Sequence, residues 1–188
     1  MMSEKVDRRV RKTRTQLRMG LARLMQKKSI KEITVRELVE EVDINRSTFY
    51  LHYTDIYQML ESIENELMNE ILETLRTHFP NPEKSDISIS FATELFHILS
   101  KNREICIALM GPNGDMAFVS RIEKLVAETV LPGLFHQFAR DTQDQNYLYA
   151  FCLNGCVGLI KSWLSAENPE SPEHMAALLH QTIFQKFL

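Results

Sequence analysis

The sequence of 188 residues has only three cysteines and no long apolar run, and each shortage excludes a class of protein. Three cysteines form no disulfide framework, so a reducing cytoplasm is the expected location. No apolar stretch approaches the roughly 18 residues that a membrane span needs, and the first residues lack the apolar core of a secretory signal, so no membrane partner is expected. No segment alternates polar and apolar residues as strands do, so the expected fold class is all-α.

Patterns of enzyme chemistry are also missing. Nothing in the sequence resembles a phosphate-binding loop, a nucleophile elbow or a pair of acid/base carboxylates, so we expect neither an enzyme nor a cofactor. Cys152 and Cys156 lie one helical turn apart, a spacing that suits metal ligands or a thiol sensor. Two small apolar residues in a buried helix are the commoner explanation, and we expect no metal site.

The charge is unevenly distributed along the chain. Residues 1–60 hold 13 Lys/Arg and 8 Asp/Glu, whereas the rest hold 9 and 17. The first 36 residues alone carry 12 basic and 3 acidic side chains. A basic first third on an acidic body favours a surface that binds a polyanion, although a solvated helix face would explain the run equally well.

Helical periodicity covers the chain and divides it into short and long elements. The expected helices span about residues 6–26, 35–42, 46–53, 56–77, 87–100, 102–110, 116–141, 145–165 and 172–187. Thr34 and Glu37 form a capping-box pattern at the start of the second helix. Asp43 suits the left-handed backbone that would end this helix, and Asn45 suits the N-cap of the next one.

Two short helices joined by a turn, the second with a polar, basic outer side, describe a helix-turn-helix. The second helix of this motif enters the major groove of DNA and contacts base edges with its N-terminal residues. Arg46 would donate two hydrogen bonds to guanine, and Asn45 would pair with adenine or a phosphate. Ser47 and Thr48 lie beside them, and Tyr50 and His52 lie where they would reach a backbone phosphate. Phe49 and Tyr53 are expected to face the core.

The stretch from about Arg11 to Leu60 resembles the DNA-binding domain of the TetR/AcrR family of transcriptional regulators. The matching segments are Ile33-Thr34-Val35-Arg36 and Thr48-Phe49-Tyr50-Leu51-His52-Tyr53. The resemblance implies that Thr34 and Tyr50 contact phosphates. It also implies that four residues face bases or nearby backbone: Arg36, Arg46, Ser47 and Thr48.

Two positions depart from the family pattern. Asp43 occupies the place of the usual turn glycine, and Ile56 stands where many members have a lysine that contacts phosphate. The cations expected to replace that lysine are on the N-terminal arm: Arg8, Arg9, Arg11, Lys12 or Arg14.

The resemblance implies an N-terminal three-helix helix-turn-helix DNA-binding domain over residues 1–55 and a C-terminal helical ligand-sensing and dimerisation domain over 56–188. The expected partners are a palindromic operator of double-stranded DNA, a second copy of the chain, and an apolar or amphipathic small-molecule effector. The expected activity is that of a homodimeric repressor released by its effector. The alternative is a TetR-like activator or adaptor whose C-terminal domain binds a partner protein.

Two further groups of residues are expected in the C-terminal domain. The effector pocket would be lined by Phe91, Phe96, Met110, Phe118 and Phe135. The dimer interface would contain Phe151, Gly155, Leu159, Trp163, Leu179 and Ile183. For both groups, packing within the chain's own core is an open alternative. The two glycines on one helix would let another helix approach closely.

Overall fold

The computed structural model describes residues 2–78, 89–129 and 142–184, and in these ranges it contains helices and turns but no strand. The helices are α1 (Met2–Lys27), α2 (Val35–Glu41), α3 (Arg46–Tyr50), α4 (Ile56–His78), α5 (Ile89–Lys101), α6 (Arg103–Met110), α7 (Met116–Thr129), α8 (Thr142–Ser165) and α9 (Pro172–Leu179). A 3₁₀ turn spans Ile30–Glu32, and a π-helical turn, His180–Phe184, follows α9. The all-α prediction is confirmed. Within the same ranges, no helix combines the length and apolarity of a membrane span.

The chain forms two compact units. The first comprises the residues up to Glu66 together with Glu104–Met116, and the second comprises Leu67–Arg103 and the residues from Ala117 onwards. The helix α4 therefore contributes its first half to one unit and its second half to the other, and α6 is counted with the N-terminal helices. The sequence predicts a domain boundary at residue 55 that separates a DNA-binding role from a ligand-sensing and dimerisation role. The two compact units do not test these roles, so this boundary stays a prediction.

The core of the first unit is built from apolar residues that recur at helical spacing. Leu17 and Leu21 of α1, Leu38 of α2 and Met59 of α4 have no exposed surface. Gly20 of α1 faces α2. A Cβ at this position would lie only 3.1 Å from Cδ1 of Leu38. The close approach of the two helices therefore depends on a residue without a side chain.

Local signals in the sequence explain how α2 begins and ends. The Thr34 hydroxyl accepts a hydrogen bond from the Glu37 N–H at 3.2 Å, and the Glu37 carboxylate accepts one from the Thr34 N–H at 3.0 Å. The expected capping box is therefore confirmed. Asp43 has a φ of 53°, so the predicted left-handed backbone is confirmed as well. Asn45 lies at the N-cap of α3 with extended backbone, so the predicted position is confirmed, although its side chain makes no capping hydrogen bond.

The second unit is organised around the contact between α5 and α9. Phe96 of α5 is fully buried, and its ring lies edge-on to the Trp163 ring of α8, with 5.1 Å between the centroids. The indole N–H of Trp163 donates to the backbone oxygen of Glu170 at 2.8 Å. Arg103 donates to the backbone oxygens of Leu164 and Ala166 at 2.9 and 2.6 Å, which satisfies carbonyls that a helix end leaves without partners.

Candidate nucleic-acid interface

The helices α2 and α3 form a helix-turn-helix whose second helix is anchored by one aromatic residue. The Phe49 ring has no exposed surface, and its centroid lies 5.8 Å from that of the Tyr53 ring. The Tyr53 N–H donates to the Phe49 oxygen at 3.0 Å, which extends the turn of α3 beyond its last α-helical residue, Tyr50. The expected inward direction of both rings is confirmed, since Tyr53 is only 5% exposed.

The predicted base-contacting residues lie on the outside of this motif. Asn45, Arg46 and Ser47 are exposed, and Thr48 is half-buried. Arg46 and Tyr50 are one helical turn apart, and the Tyr50 ring is 58% exposed. Because Phe49 faces inward and its neighbours face solvent, α3 presents a cationic and an aromatic side chain on one outer surface.

Thr34 and Arg36 are exposed, but each already has a partner on α2. The Thr34 hydroxyl donates to Oε2 of Glu37 at 3.0 Å, and Nε of Arg36 donates to Oε1 of Glu40 at 2.8 Å. The bond to Glu40 raises the pKa of the Arg36 guanidinium. A DNA phosphate would therefore compete with a carboxylate for either side chain.

The remaining predicted phosphate contact, His52, is half-buried, and its ring centroid lies 6.3 Å from that of Tyr53. Ile56 is 4% exposed, so the position where many relatives have a lysine belongs to the core of this unit. The neighbouring Tyr57 is exposed at the start of α4, and so is Leu51. Sequence reasoning missed these two exposed residues, although the buried positions Ile56, Met59, Leu60 and Ile63 leave residue 57 on the outer side of α4 by helical periodicity.

The five residues of α1 named above as possible arm cations divide into two groups. Arg8, Arg9, Arg11 and Lys12 are exposed. Arg14 instead donates from Nε to the Tyr53 hydroxyl at 3.1 Å and from Nη2 to Ser62 and Glu66. The hydrogen bond to Tyr53 is the main cause that raises the pKa of Arg14, and Glu66 adds to it. Arg14, named above as a possible arm cation, is therefore partly exposed, and its guanidinium group is already paired with groups of the first unit.

The predicted effector residues are placed mainly in packed positions. Phe91, Phe96 and Phe118 are buried, and Met110 is partly exposed. The Phe91 ring lies edge-on to His78 at 5.9 Å. Met110 belongs to the first unit and the phenylalanines to the second. Phe135 lies outside the described residues.

The predicted dimer residues separate into buried and exposed ones. Trp163 and Leu179 are buried by the chain itself, Leu159 is partly exposed, and Phe151 is 70% exposed. A Cβ at Gly155 or Gly158 would meet no atom of another described element within 4 Å, so no helix among the described residues approaches either glycine closely. The backbone of Ile183 lies in the π-helical turn after α9.

The cysteines of α8 are poorly suited to thiol chemistry. Burial raises the pKa of Cys152, and burial together with the neighbouring Cys152 raises the pKa of Cys156 to about 12. Such thiols stay protonated at neutral pH, and the thiolate is the reactive and metal-binding form. Among the residues that the structure describes, no group of three or more His, Cys, Asp or Glu is arranged to hold a metal ion.

Comparison with known proteins connects this geometry to a family. Residues 86–185, more than half of the chain, match the family model of the TetR-type transcriptional regulator C-terminal region. The HTH-type transcriptional regulator YxbF of Bacillus subtilis strain 168 is 19% identical over 91% of this chain. The chain spans 44% of that relative's length.

Solved structures share the fold along almost the whole chain. A TetR transcriptional regulator of Streptococcus agalactiae 2603V is 19% identical, with a TM-score of 0.55 over 96% of this chain and 98% of the other. The fatty acid degradation regulator FadR of Bacillus halodurans is 11% identical, with a TM-score of 0.62 over 92% and 94%. At these identities the likeness concerns the fold alone.

Proposed function

The chain belongs to the TetR family of transcriptional regulators. From that premise we propose that it acts in the cytoplasm as a homodimer that binds a palindromic operator of double-stranded DNA. Each protomer would contact the major groove of one half-site with α3. Two protomers related by a two-fold axis would contact two half-sites, which one short helix cannot do alone. The regulator would repress transcription until an effector binds.

The exposed N-terminal part of α3 is the observation that carries this proposal. Arg46 is exposed and makes no hydrogen bond to the rest of the described chain. Its guanidinium N–H groups are therefore available for two hydrogen bonds to the edge of a guanine. Asn45, Ser47 and Thr48 would contact bases or nearby backbone. Tyr50, His52, Thr34 and Arg36 would contact phosphates or adjacent bases, the last two after releasing their carboxylate partners.

Exposed basic residues of α1 would supply the phosphate contacts that the buried Ile56 cannot make. Arg8, Arg9, Arg11 and Lys12 are the cations available for this role. Their contribution would be independent of DNA sequence and sensitive to salt, because neutralising phosphates releases counterions.

A second copy of the chain would pack along one face of α8. Tyr147 and Phe151 are 76% and 70% exposed, and Gly155 and Gly158 continue the same face at helical spacing. A Cβ at either glycine would meet no atom of another described element within 4 Å. Leu178 of α9 is also partly exposed. Large exposed aromatic rings beside glycines suit close helix packing, whereas the buried Trp163 and Leu179 would support this face from behind.

An apolar or amphipathic effector would bind among the apolar side chains of the second unit. It would release DNA by binding one conformation of the dimer more tightly than the other.

The proposal is tested by selecting bound sequences from a random duplex DNA library at about 150 mM salt. A palindromic motif would support a dimeric, sequence-specific regulator and would provide the operator for effector screening. If folded, dimeric protein enriches no sequence, the chain does not bind DNA by itself. The alternative, an activator or adaptor whose C-terminal domain binds a partner protein, would then be the better explanation of its regulatory role.

A further inference from the structure

Arg14 connects three parts of the first unit that are far apart in sequence. Its guanidinium group donates to the Tyr53 hydroxyl, to the Ser62 hydroxyl and to the Glu66 carboxylate. The guanidinium carbon also lies 5.8 Å from the centroid of the Tyr53 ring. A planar guanidinium with five donors can make such contacts at once, whereas the single ammonium group of lysine cannot reproduce their geometry.

The contact with Tyr53 reaches the turn that follows the recognition helix, α3. Tyr53 packs against Phe49, the residue that anchors α3, and Phe49 precedes the exposed Tyr50. On the other side, Ser62 and Glu66 are one turn apart on α4. Arg14 therefore links α1 to α4 and links both to the end of α3.

The Arg14 side chain is partly exposed, and its hydrogen-bond partners are groups of the first unit. It lines a cleft of about 300 Å³. The other lining residues are Val10, Arg11, Thr15, Arg18, Tyr53, Ile63 and Glu66. Arg18 donates to the second oxygen of Glu66 at 3.5 Å, so one carboxylate holds two arginines of α1.

We propose that Arg14 is a positioning residue for DNA binding: it fixes the recognition helix through Tyr53, Ser62 and Glu66 and does not contact phosphate. The proposal rests on the proposed DNA-binding function. It separates Arg14 from the arm cation Arg11, one turn earlier on α1, which is exposed and would contact phosphate. The two roles differ in their salt dependence, because only a phosphate contact releases counterions.

The test measures operator affinity against salt concentration for wild type, Arg14→Lys, Arg14→Ala, Tyr53→Phe and Arg11→Ala. We expect Arg14→Lys and Tyr53→Phe each to lose about tenfold in affinity at every salt concentration, the equivalent of one hydrogen bond to a charged group. The slope of log affinity against log salt should stay at the wild-type value for all Arg14 and Tyr53 variants. In Arg11→Ala the slope should fall by about 0.9.

A double-mutant cycle checks that Arg14 acts through Tyr53. The combined Arg14→Lys/Tyr53→Phe variant should bind about as weakly as either single variant, because both remove the same contact. Additive losses would overturn the proposal. So would Arg14→Lys binding like wild type, or a slope that falls by about 0.9 in Arg14→Ala and is restored in Arg14→Lys.

Amide hydrogen exchange gives a readout without DNA. Exchange at residues 46–53 should be faster in Arg14→Lys and in Tyr53→Phe than in wild type, and unchanged in Arg11→Ala. Unchanged exchange in both variants would show that Arg14 does not hold the recognition helix. If wild type binds no DNA while exchange responds as expected, the proposed function fails and the hold on α3 stands as a structural property.

Discussion

A Cβ atom on Gly20 would lie 2.3 Å from Cγ1 of Val42, so α1 passes the end of α2 at a distance that leaves no room for a side chain at position 20 unless Val42 shifts. Gly20 is buried and Val42 is half-buried, and their contact joins the long first helix to the helix-turn-helix. Glycine within a helix costs about 1 kcal/mol relative to alanine. The close approach of α1 to the end of α2 explains why position 20 has a glycine although alanine has the higher helix propensity.

Gly20→Ala should lower the free energy of unfolding by about 1–2 kcal/mol, since overpacking outweighs the gain in helix propensity. Urea denaturation followed by circular dichroism measures the change. Adding Val42→Ala removes the clashing methyl groups, so the double variant should lose less than the two single losses combined. Strict additivity would mean that the two residues do not meet.

Arg46→Ala should cost about 1–3 kcal/mol of operator binding and relax specificity at one base pair of each half-site. The physical reason is the loss of a bidentate contact to a base edge. Binding to the selected operator and to single-base variants measures both effects. Lys124→Ala on α7 is the control with the same loss of charge, and it should leave specificity unchanged. Wild-type affinity for Arg46→Ala would mean that α3 meets DNA with other residues.

Phe151→Glu should weaken the dimer by about 2 kcal/mol or more, because a charge would replace an aromatic ring at the centre of the proposed face of α8. Sedimentation equilibrium over a range of protein concentrations measures the dissociation constant. Met116→Glu, which changes another exposed apolar residue, is the matched control and should dimerise normally. An unaffected dimer in Phe151→Glu would place the interface elsewhere.

Glu37 should contribute to stability in a pH-dependent way. The hydrogen bond from Lys28, followed by those from Thr34, lowers the pKa of Glu37 from 4.5 to about 2. Because the pKa in the folded state is the lower one, the stabilisation is present above pH 4.5 and is lost as the pH falls towards 2. Wild type should therefore be more stable than Glu37→Gln at neutral pH, and the difference should shrink over this range.

Urea midpoints at successive pH values measure the Glu37 effect. Glu61→Gln changes an exposed glutamate of α4 and is the control for general effects of charge. A difference between wild type and Glu37→Gln that stays constant down to pH 2 would contradict the assigned cause.

Features that depend on residues three or four positions apart were predictable from the sequence. The capping box of Thr34, the left-handed Asp43 and the opposite directions of Phe49 and Tyr50 all follow from local chemistry and helical periodicity. The family resemblance rested on the same local segments, and the match to residues 86–185 confirmed it through a different part of the chain.

Features that depend on distant residues were not predictable in the same way. Arg14 looked like one more arm cation, because its partners at positions 53 to 66 meet it only after folding. Gly20 gave no signal, since its neighbour Val42, at the end of α2, is distant in the sequence. The sequence pattern also could not distinguish Trp163, which the chain buries itself, from Phe151, which it leaves exposed.

Trp163 is the only tryptophan of the chain, and it lies in the second unit against Phe96. Its fluorescence therefore reports on the packing between α5 and α8. The first unit has tyrosines but no tryptophan, so it contributes no emission when tryptophan alone is excited. An effector that displaces Phe96 or the bond to Glu170 would change the emission wavelength or intensity. The protein thus carries its own optical reporter for ligand titrations, and no dye has to be attached.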